Sequence, residues 1–414
     1  MLILLLVSLG DIGMKLLSNF FKLTVMKLTI FEKDYLGIKN NSYVIRLFHT
    51  LLQKVERDPH RQWTHKLLRN YVNATYELCT FIGKRSSEQL GDSSINICED
   101  DDSDLNIFFT GLYTSGTYHG LKNGLYFVGN PTEGFSVMTR KDIFETASSD
   151  VKNALMQINH RDSFENELVG EKFLCINAIK PPKIMDPKTA NSIIKEHRAK
   201  IDKISEILDR IKQKESFDEI LKEDVIKGVL EENNKNIDLC EKSEIINVLK
   251  EFKDTLKGNS WLHILRDGID NLPTDFVKSF FNMSYEVSNP QAIYENRKKW
   301  IEDCIQKSAE DSTVNSFKYY QEIMLETMQL MVDESKIHNL PVMFYKKQRS
   351  YNYLLPMYLQ NSGKPDFCIV LRHKKTDGKY TGDWEPVTSL DMDEVYCDIR
   401  VFGKDAIERV HNWW

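Results

Sequence analysis

Glycine and proline are scarce, 19 and 11 of 414 residues, which excludes collagen-like and low-complexity architectures. The seven cysteines stand far apart with no Cys-x-x-Cys pair, and none of the ten histidines lies within metal-finger distance of a cysteine pair. Neither a disulfide framework nor a zinc-thiolate site is therefore expected, and the cysteines read as buried thiols of a reducing, intracellular compartment. Neither sign of charge dominates: 55 Lys and Arg face 61 Asp and Glu, a net charge of -6. That argues against a protein coating nucleic acid or an anionic membrane with its whole surface, and leaves room for a local basic patch. No apolar run approaches the roughly 20 residues of a membrane span. Walker loop, Rossmann fingerprint and serine-nucleophile elbow are all missing. What is present, 41% hydrophobic and 28% charged residues, is the balance of a globular protein of one large domain or two average ones.

Residues 1–33 open with the apolar stretch Met1 to Gly10, which has no basic region before it and is too short to cross a bilayer. Three readings stand: a docking helix, a weak targeting segment, or sequence upstream of a start at Met14 or Met26. From 34 to about 85 the pattern is helical. Ile45, Leu47, Phe48, Leu51, Leu52 and Val55 form one stripe, and Trp63, Leu67, Leu68, Tyr71, Thr75, Leu78, Cys79 and Ile82 a second, with Gly83 expected to end the helix. Strand character follows at 106–113, 124–129 and 134–139, an antiparallel meander, and again at 171–178 before Pro181-Pro182.

Residues 188–257 form a charged helical insertion between the halves 34–187 and 258–414. Ile194, Ile201 and Leu208 recur every seven residues with Ile204 and Ile211 beside them, a short coiled-coil repeat. Its two readings are a solvated surface hairpin and an arm for a protein partner or self-association. Beyond Trp261 the chain reads as helix to Leu330, with Phe317, Tyr320, Met324, Met328 and Met331 on a core stripe. After Pro341 it reads as strands at 366–372, 384–390 and 397–402, with a polar turn over 374–382. Blocks of helix and antiparallel strand predict an α+β fold, a largely antiparallel sheet packed with helices.

Several runs resemble the family catalogued as domain of unknown function 3825. They are Phe108-Phe-Thr-Gly-Leu112 followed by Tyr118-His-Gly-Leu-Lys-Asn-Gly-Leu-Tyr-Phe127, Tyr353-Leu-Leu-Pro-Met-Tyr-Leu359, Ser389-Leu-Asp-Met392 with Arg400-Val, and Leu68-Arg-Asn-Tyr-Val-Asn-Ala-Thr-Tyr76. In order they span about Arg61 to Trp414. Asn352, Phe109 and the inserted pair Asp393-Glu394 depart from the pattern. The resemblance implies no established activity; members joined to cold-shock-like modules imply a link to RNA by association.

The candidate ligand-binding residues follow from residue chemistry. Thr110-Gly111 at a strand end lets a backbone amide approach an anion, or is a turn that needs positive φ. Tyr118-His119-Gly120 with Gly124 to Phe127 is similar to the clamp pieces of ADP-ribosyltransferase-like folds, at shorter spacing. His160-Arg161 pairs an acid/base group with an anion clamp, or simply ends a helix. Lys346, Lys347 and Arg349 beside Tyr345, Tyr351 and Tyr353 interleave cations with aromatics, as nucleic-acid binding needs, or form a charged loop before a buried strand. Asp391 and Arg400 are expected to face each other across neighbouring strands, as a substrate clamp or a structural ion pair. The acidic run Glu99 to Asp104 lacks calcium-loop spacing and reads as a solvated connection. No metal site is assigned, and no cofactor is named.

Three functional readings follow. The first is a nucleotide- or RNA-binding protein in which the Thr110-Gly111 turn, segment 345–353, Asp391 and Arg400 converge on one basic cleft. The second is an enzyme acting on a nucleotide or RNA end, a hydrolase or a transferase of ADP-ribosyl or phosphate groups, with His119 or His160 as acid/base. The third is a non-catalytic scaffold whose helical insertion binds a partner.

Overall fold

The computed structural model describes residues 29, 31–37, 41–90, 95–100, 105–161, 164, 182–212, 226, 228–229, 245–246, 248–249, 260–281, 290–335, 340–345, 350–360, 363–376 and 379–414. The described residues form helices and two four-stranded antiparallel sheets, β1-β2-β3-β4 and β5-β6-β7-β8, so the α+β class holds. The chain divides into two compact units. One comprises Met1–Cys175, Asn339–Leu354 and Asp391–Trp414; the other comprises Ile176–His338 and Leu355–Leu390. Among the described residues no helix is long and apolar enough to cross a membrane.

The first unit begins with a π-helical turn (Phe31–Tyr35), followed by α1 (Asn41–Lys54) and α2 (His65–Leu90). On α1 the buried side chains are Val44, Leu47, Phe48 and Leu51, three and four residues apart, so Ile45 and Leu52 flank the stripe rather than belong to it. On α2 Leu67, Leu68, Tyr71, Val72, Thr75, Leu78, Cys79 and Ile82 are all buried, as the periodicity requires. Gly83 does not end this helix, which continues to Leu90. A single glycine inside a helix costs only about 1 kcal/mol against alanine, too little to stop one whose face is anchored in a core.

Strands β1 (Ile97–Asp100), β2 (Leu105–Tyr118), β3 (Leu121–Asn130) and β4 (Gly134–Thr139) form the meander, with β1 an addition to the expected three. The acidic run therefore starts inside a strand, since Glu99 pairs with Asn106 and Asp100 with Leu105. Both faces of this sheet are covered, which explains the unbroken apolar run from Ile107 to Phe109. Phe108 and Phe127 pack against Phe31, at centroid distances of 5.1 and 5.3 Å. On the other face Ile107, Phe109, Tyr126 and Val128 pack against Ile143 of α3 (Arg140–Thr146) and Ala154 and Leu155 of α4 (Ser149–Gln157). The β2–β3 hairpin closes on His119 and Gly120, both at positive φ (50° and 77°), the backbone of a two-residue type I′ turn.

The unit also holds β5 (Val342–Tyr345), the start of β6 (Ser350–Met357), α10 (Met392–Arg400) and α11 (Lys404–Glu408). The expected strand over 397–402 is thus largely α10. Asp391 caps it, its carboxylate accepting from the amides of Asp393 at 2.9 Å and Glu394 at 2.8 Å. The alternation of Cys397, Ile399 and Val401 suggests a strand, but Val395, Tyr396, Ile399 and Arg400 share the buried side of a helix.

The second unit contains α5 (Pro187–Lys212), α6 (Ser260–Arg266), a 3-10 turn (Asp267–Asn271), α7 (Thr274–Phe281), α8 (Pro290–Glu310), α9 (Ser316–Ser335), β7 (Phe367–Thr376) and β8 (Lys379–Leu390). Ile204, Ile207 and Leu208 of α5 share a core with Ile226, Val229, Ile245, Val248 and Leu249. On α9 the buried stripe is Phe317, Tyr320, Met324, Met328 and Val332, with Met331 at its edge. Gln321, also fully buried, accepts from Met185 N at 2.7 Å and Trp261 Nε1 at 3.3 Å, and donates to Met185 O at 3.0 Å. The polar turn expected over 374–382 shortens to the residues between Thr376 and Lys379, which pair across the hairpin.

Candidate functional site

The α1–α2 connection, Glu56-Arg-Asp-Pro-His-Arg-Gln62, carries six polar residues in seven and lines the site. Pro59 keeps the segment from continuing either helix. The amide of Glu56 donates to Tyr113 O of β2 at 2.8 Å, tying the loop to the sheet. Asp58 turns the chain, its Oδ1 accepting from His60 N at 2.9 Å. Leu52, Val55 and the stretch through Trp63 enclose an open recess of about 680 Å³. A crevice beside it, with about 10 Å³ of room and so space for little more than one water, shares Val55 to Pro59 and Trp63 and adds Gly111, Leu112, Tyr113 and Arg400.

Arg400 Nε donates to Asp58 Oδ2 at 3.3 Å, and its guanidinium lies 6.0 Å from the Tyr71 ring centroid. Burial works against its charge, but the Asp58 carboxylate beside it offsets that and favours the protonated guanidinium. Burial raises the Tyr71 hydroxyl, Arg400 opposing, and burial followed by the neighbouring Asp58 raises that of Tyr396. Both phenols are therefore neutral donors. Asp58 uses only Nε, so the two Nη groups of Arg400 have no hydrogen-bond partner among the described residues. Arg57 is exposed and makes no ion pair among the described residues. Arg61 is held instead: it donates to Met392 O at 3.0 Å, pairs with Asp393, and lies over Trp414 and Tyr396 at 5.8 and 6.0 Å. His60 Nε2 meets Glu408 at 3.0 Å.

The expected site residues distribute as follows. Gly111 and Arg400 meet at the narrow recess. Gly111 has φ +74° where β2 bulges between Phe109 and Tyr113, and a Cβ there would lie 3.0 Å from Tyr71 Oη. Thr110 is fully buried, its hydroxyl donating to Leu125 O at 2.9 Å and accepting from Leu112 N at 3.2 Å, so it braces the bulge and has no donor to spare. Asp391 does not face Arg400 across strands. The two occupy opposite ends of α10, and Asp391 pairs with Lys66 at 2.8 Å.

Tyr118 and His119 sit together at the hairpin tip, ring centroids 4.3 Å apart, away from the recess lining. His160 lies over Phe109 and Tyr126, at 5.3 and 5.7 Å, and its pKa is lowered by burial and then by Arg140. The backbone of Arg161 is clamped by the Asn96 side chain at 2.7 Å in both directions. Tyr351 packs among Phe81, Phe344 and Phe402. Lys346, Lys347 and Arg349 lie outside the described residues, as does segment 171–178. The residues the sequence reading missed are Arg57, Asp58 and His60. A polar, proline-broken loop between two strongly amphipathic helices was the available signal.

Among the described residues no group of three or more His, Cys, Asp and Glu side chains is placed to hold a metal ion, and Cys79, Cys98, Cys304, Cys368 and Cys397 are buried and form no disulfide. Compared with known protein families, curated proteins and solved structures, the chain finds no match in any of the three.

Proposed function

We propose that this protein binds a nucleotide at the α1–α2 loop. The observation that carries the reading is that Gly111 and Arg400, far apart in sequence, line one recess with Val55 to Pro59, beside the unpaired guanidinium of Arg57. The adjoining volume of about 680 Å³ is within the roughly 300–1,000 Å³ of small-molecule sites. Its lining mixes Glu56 and Asp58 with Arg57, Arg61 and His60. That mixture suits a mononucleotide, whose phosphate needs cations and whose ribose hydroxyls need acceptors, better than an RNA tract, which needs a continuous basic strip. The sequence resemblance to domain of unknown function 3825, with its RNA-linked members, is in keeping with nucleotide chemistry.

Isothermal titration of the whole chain with mono- and dinucleotides tests the proposal, with Arg57→Ala alongside. Arg57 is exposed, so its removal leaves the core intact. The expected result is binding that Arg57→Ala weakens at least tenfold, about the 1.5–3 kcal/mol of a hydrogen bond to a charged group. Equal binding by both proteins, or none at millimolar nucleotide, refutes it. The enzymatic reading in its original form drew on His119 and His160; the histidine that lines this recess is His60.

A further inference from the structure

The second unit holds a hydroxyl, an imidazole and a carboxylate in line. His263 of α6 places Nδ1 2.8 Å from Asp267 Oδ2, one turn later, and its Nε2 3.3 Å from Thr388 Oγ1 on β8. Arg266 donates to both Asp267 oxygens, at 3.1 and 3.0 Å, and Lys298 Nζ stands 3.5 Å from Oδ1. Burial opposes the charge on Asp267, yet His263, Arg266 and Lys298 outweigh it and hold the carboxyl well below the usual carboxylate range.

An ionised carboxylate only accepts, so Nδ1 of His263 carries a proton, and in the neutral imidazole the lone pair of Nε2 faces the hydroxyl of Thr388. Arg266 and Lys298 supply the countercharge of Asp267, and His263 adds a hydrogen bond to the same carboxylate. On its other side the imidazole sets a base on a hydroxyl. The alternative acceptor for Thr388, the carbonyl of Ser389, is farther at 3.5 Å. The His263 side chain keeps 25% of its surface exposed, and Thr388 is half-buried, so neither is sealed in the core.

We propose that Thr388, His263 and Asp267 form an acyl-transfer site acting on small esters, independent of the nucleotide reading. Thr388 Oγ1 bonds to the acyl carbon while its proton passes to His263 Nε2. The ester C–O bond then breaks and the leaving oxygen takes that proton. Water attacks the Thr388 ester, delivers a proton to Nε2 that returns to Oγ1, and frees the acid. The sum is ester and water giving acid and alcohol. Asp267 fixes the tautomer and orientation of His263 and supports its transient positive charge.

The test exposes the whole chain to p-nitrophenyl acetate, quenches in acid and maps acetylation by peptide mass spectrometry, while p-nitrophenolate release is followed optically. The expected result is one acetyl group on the peptide carrying Thr388 and an initial burst. Thr388→Val loses both, Thr388→Ser keeps both, and His263→Gln slows labelling by about a hundredfold, the scale of a lost general base. Circular dichroism melts establish that each variant is folded; were Thr388→Val unfolded, His263→Gln and Thr388→Ser would still decide. Acetylation spread over lysines alike in wild type and variants, or absent from Thr388, overturns the proposal.

Discussion

Glu32 is wholly buried beside Arg69, itself only 5% exposed, in a two-pronged ion pair: Oε1 to Nε at 2.5 Å and Oε2 to Nη2 at 2.6 Å. The same carboxylate accepts from Thr29 N at 2.8 Å, and next to it Phe31 N donates to Asn73 Oδ1 at 3.1 Å. These bonds fix the turn Phe31–Tyr35 to α2, and with it the Phe31 ring that fills one face of the first sheet. Replacing Glu32 by Gln preserves shape and leaves a buried guanidinium uncompensated, at a cost of about 3–5 kcal/mol. The exposed pair Lys66–Asp391, with side chains 50% and 34% accessible, sets the contrast, and Lys66→Ala costs no more than about 1 kcal/mol. Because the chain forms two units, a global melt mixes their transitions, so the assay is hydrogen exchange of α2 peptides by mass spectrometry. Amides of α2 that open with their unit are expected to exchange roughly a hundredfold faster or more in Glu32→Gln, since about 1.4 kcal/mol is a factor of ten. The double variant Glu32→Leu/Arg69→Met removes both charges and should recover most of the loss. A Glu32→Gln protein within 1 kcal/mol of its parent, by the order-of-magnitude scale for buried pairs, would refute the reasoning.

Two further predictions concern the same unit. Gly111→Ala must hold an L-residue at φ +74° with its Cβ against Tyr71 Oη, and is expected to lower stability by about 1–2 kcal/mol in urea unfolding and to weaken nucleotide binding; an unchanged midpoint would count against the bulge as described. His65 has its pKa lowered from 6.5 by burial, then by His49 and Arg69. Folding therefore favours the neutral ring, so its contribution is complete above about pH 6.5 and declines as pH falls below that. Protection of α2 amides in His65→Gln, read by hydrogen exchange against the parent at each pH between 7.5 and 5, should show a shallower acid decline, and identical slopes would exclude His65 from it.

Local periodicity carried most of the fold. The α2 stripe from Leu67 to Ile82 and the strands around Phe108, Phe127 and Val137 were readable because each buries a face that neighbours three, four or two residues away define. The reading failed where one pattern fits two periods: Cys397, Ile399 and Val401 alternate like a strand, and only the cap at Asp391 marks the helix. It failed again at Gly83, where tertiary anchoring of α2 overrides a weak breaker. The sites were less legible for a different reason. The partner of Asp58 lies 342 positions away at Arg400, and the partner of His263 lies 125 positions away at Thr388. Only the His263–Asp267 spacing of four was local, and without the hydroxyl it reads as an ordinary helix-end pair.

A count of cations in the sequence does not locate a binding site, because folding engages many of the arginines among the described residues. Arg69 is spent on Glu32, Arg61 on Asp393, Arg372 on Glu385, Arg266 on Asp267, and Arg297 on the carbonyls of Ile269, Asp270 and Leu272. A guanidinium so engaged has its charge cancelled and its donors filled, so an incoming phosphate must break an existing pair before gaining a new one. Arg57, which makes no ion pair among the described residues, faces no such cost at the nucleotide site proposed above, whereas Arg400 already carries Asp58 on its Nε.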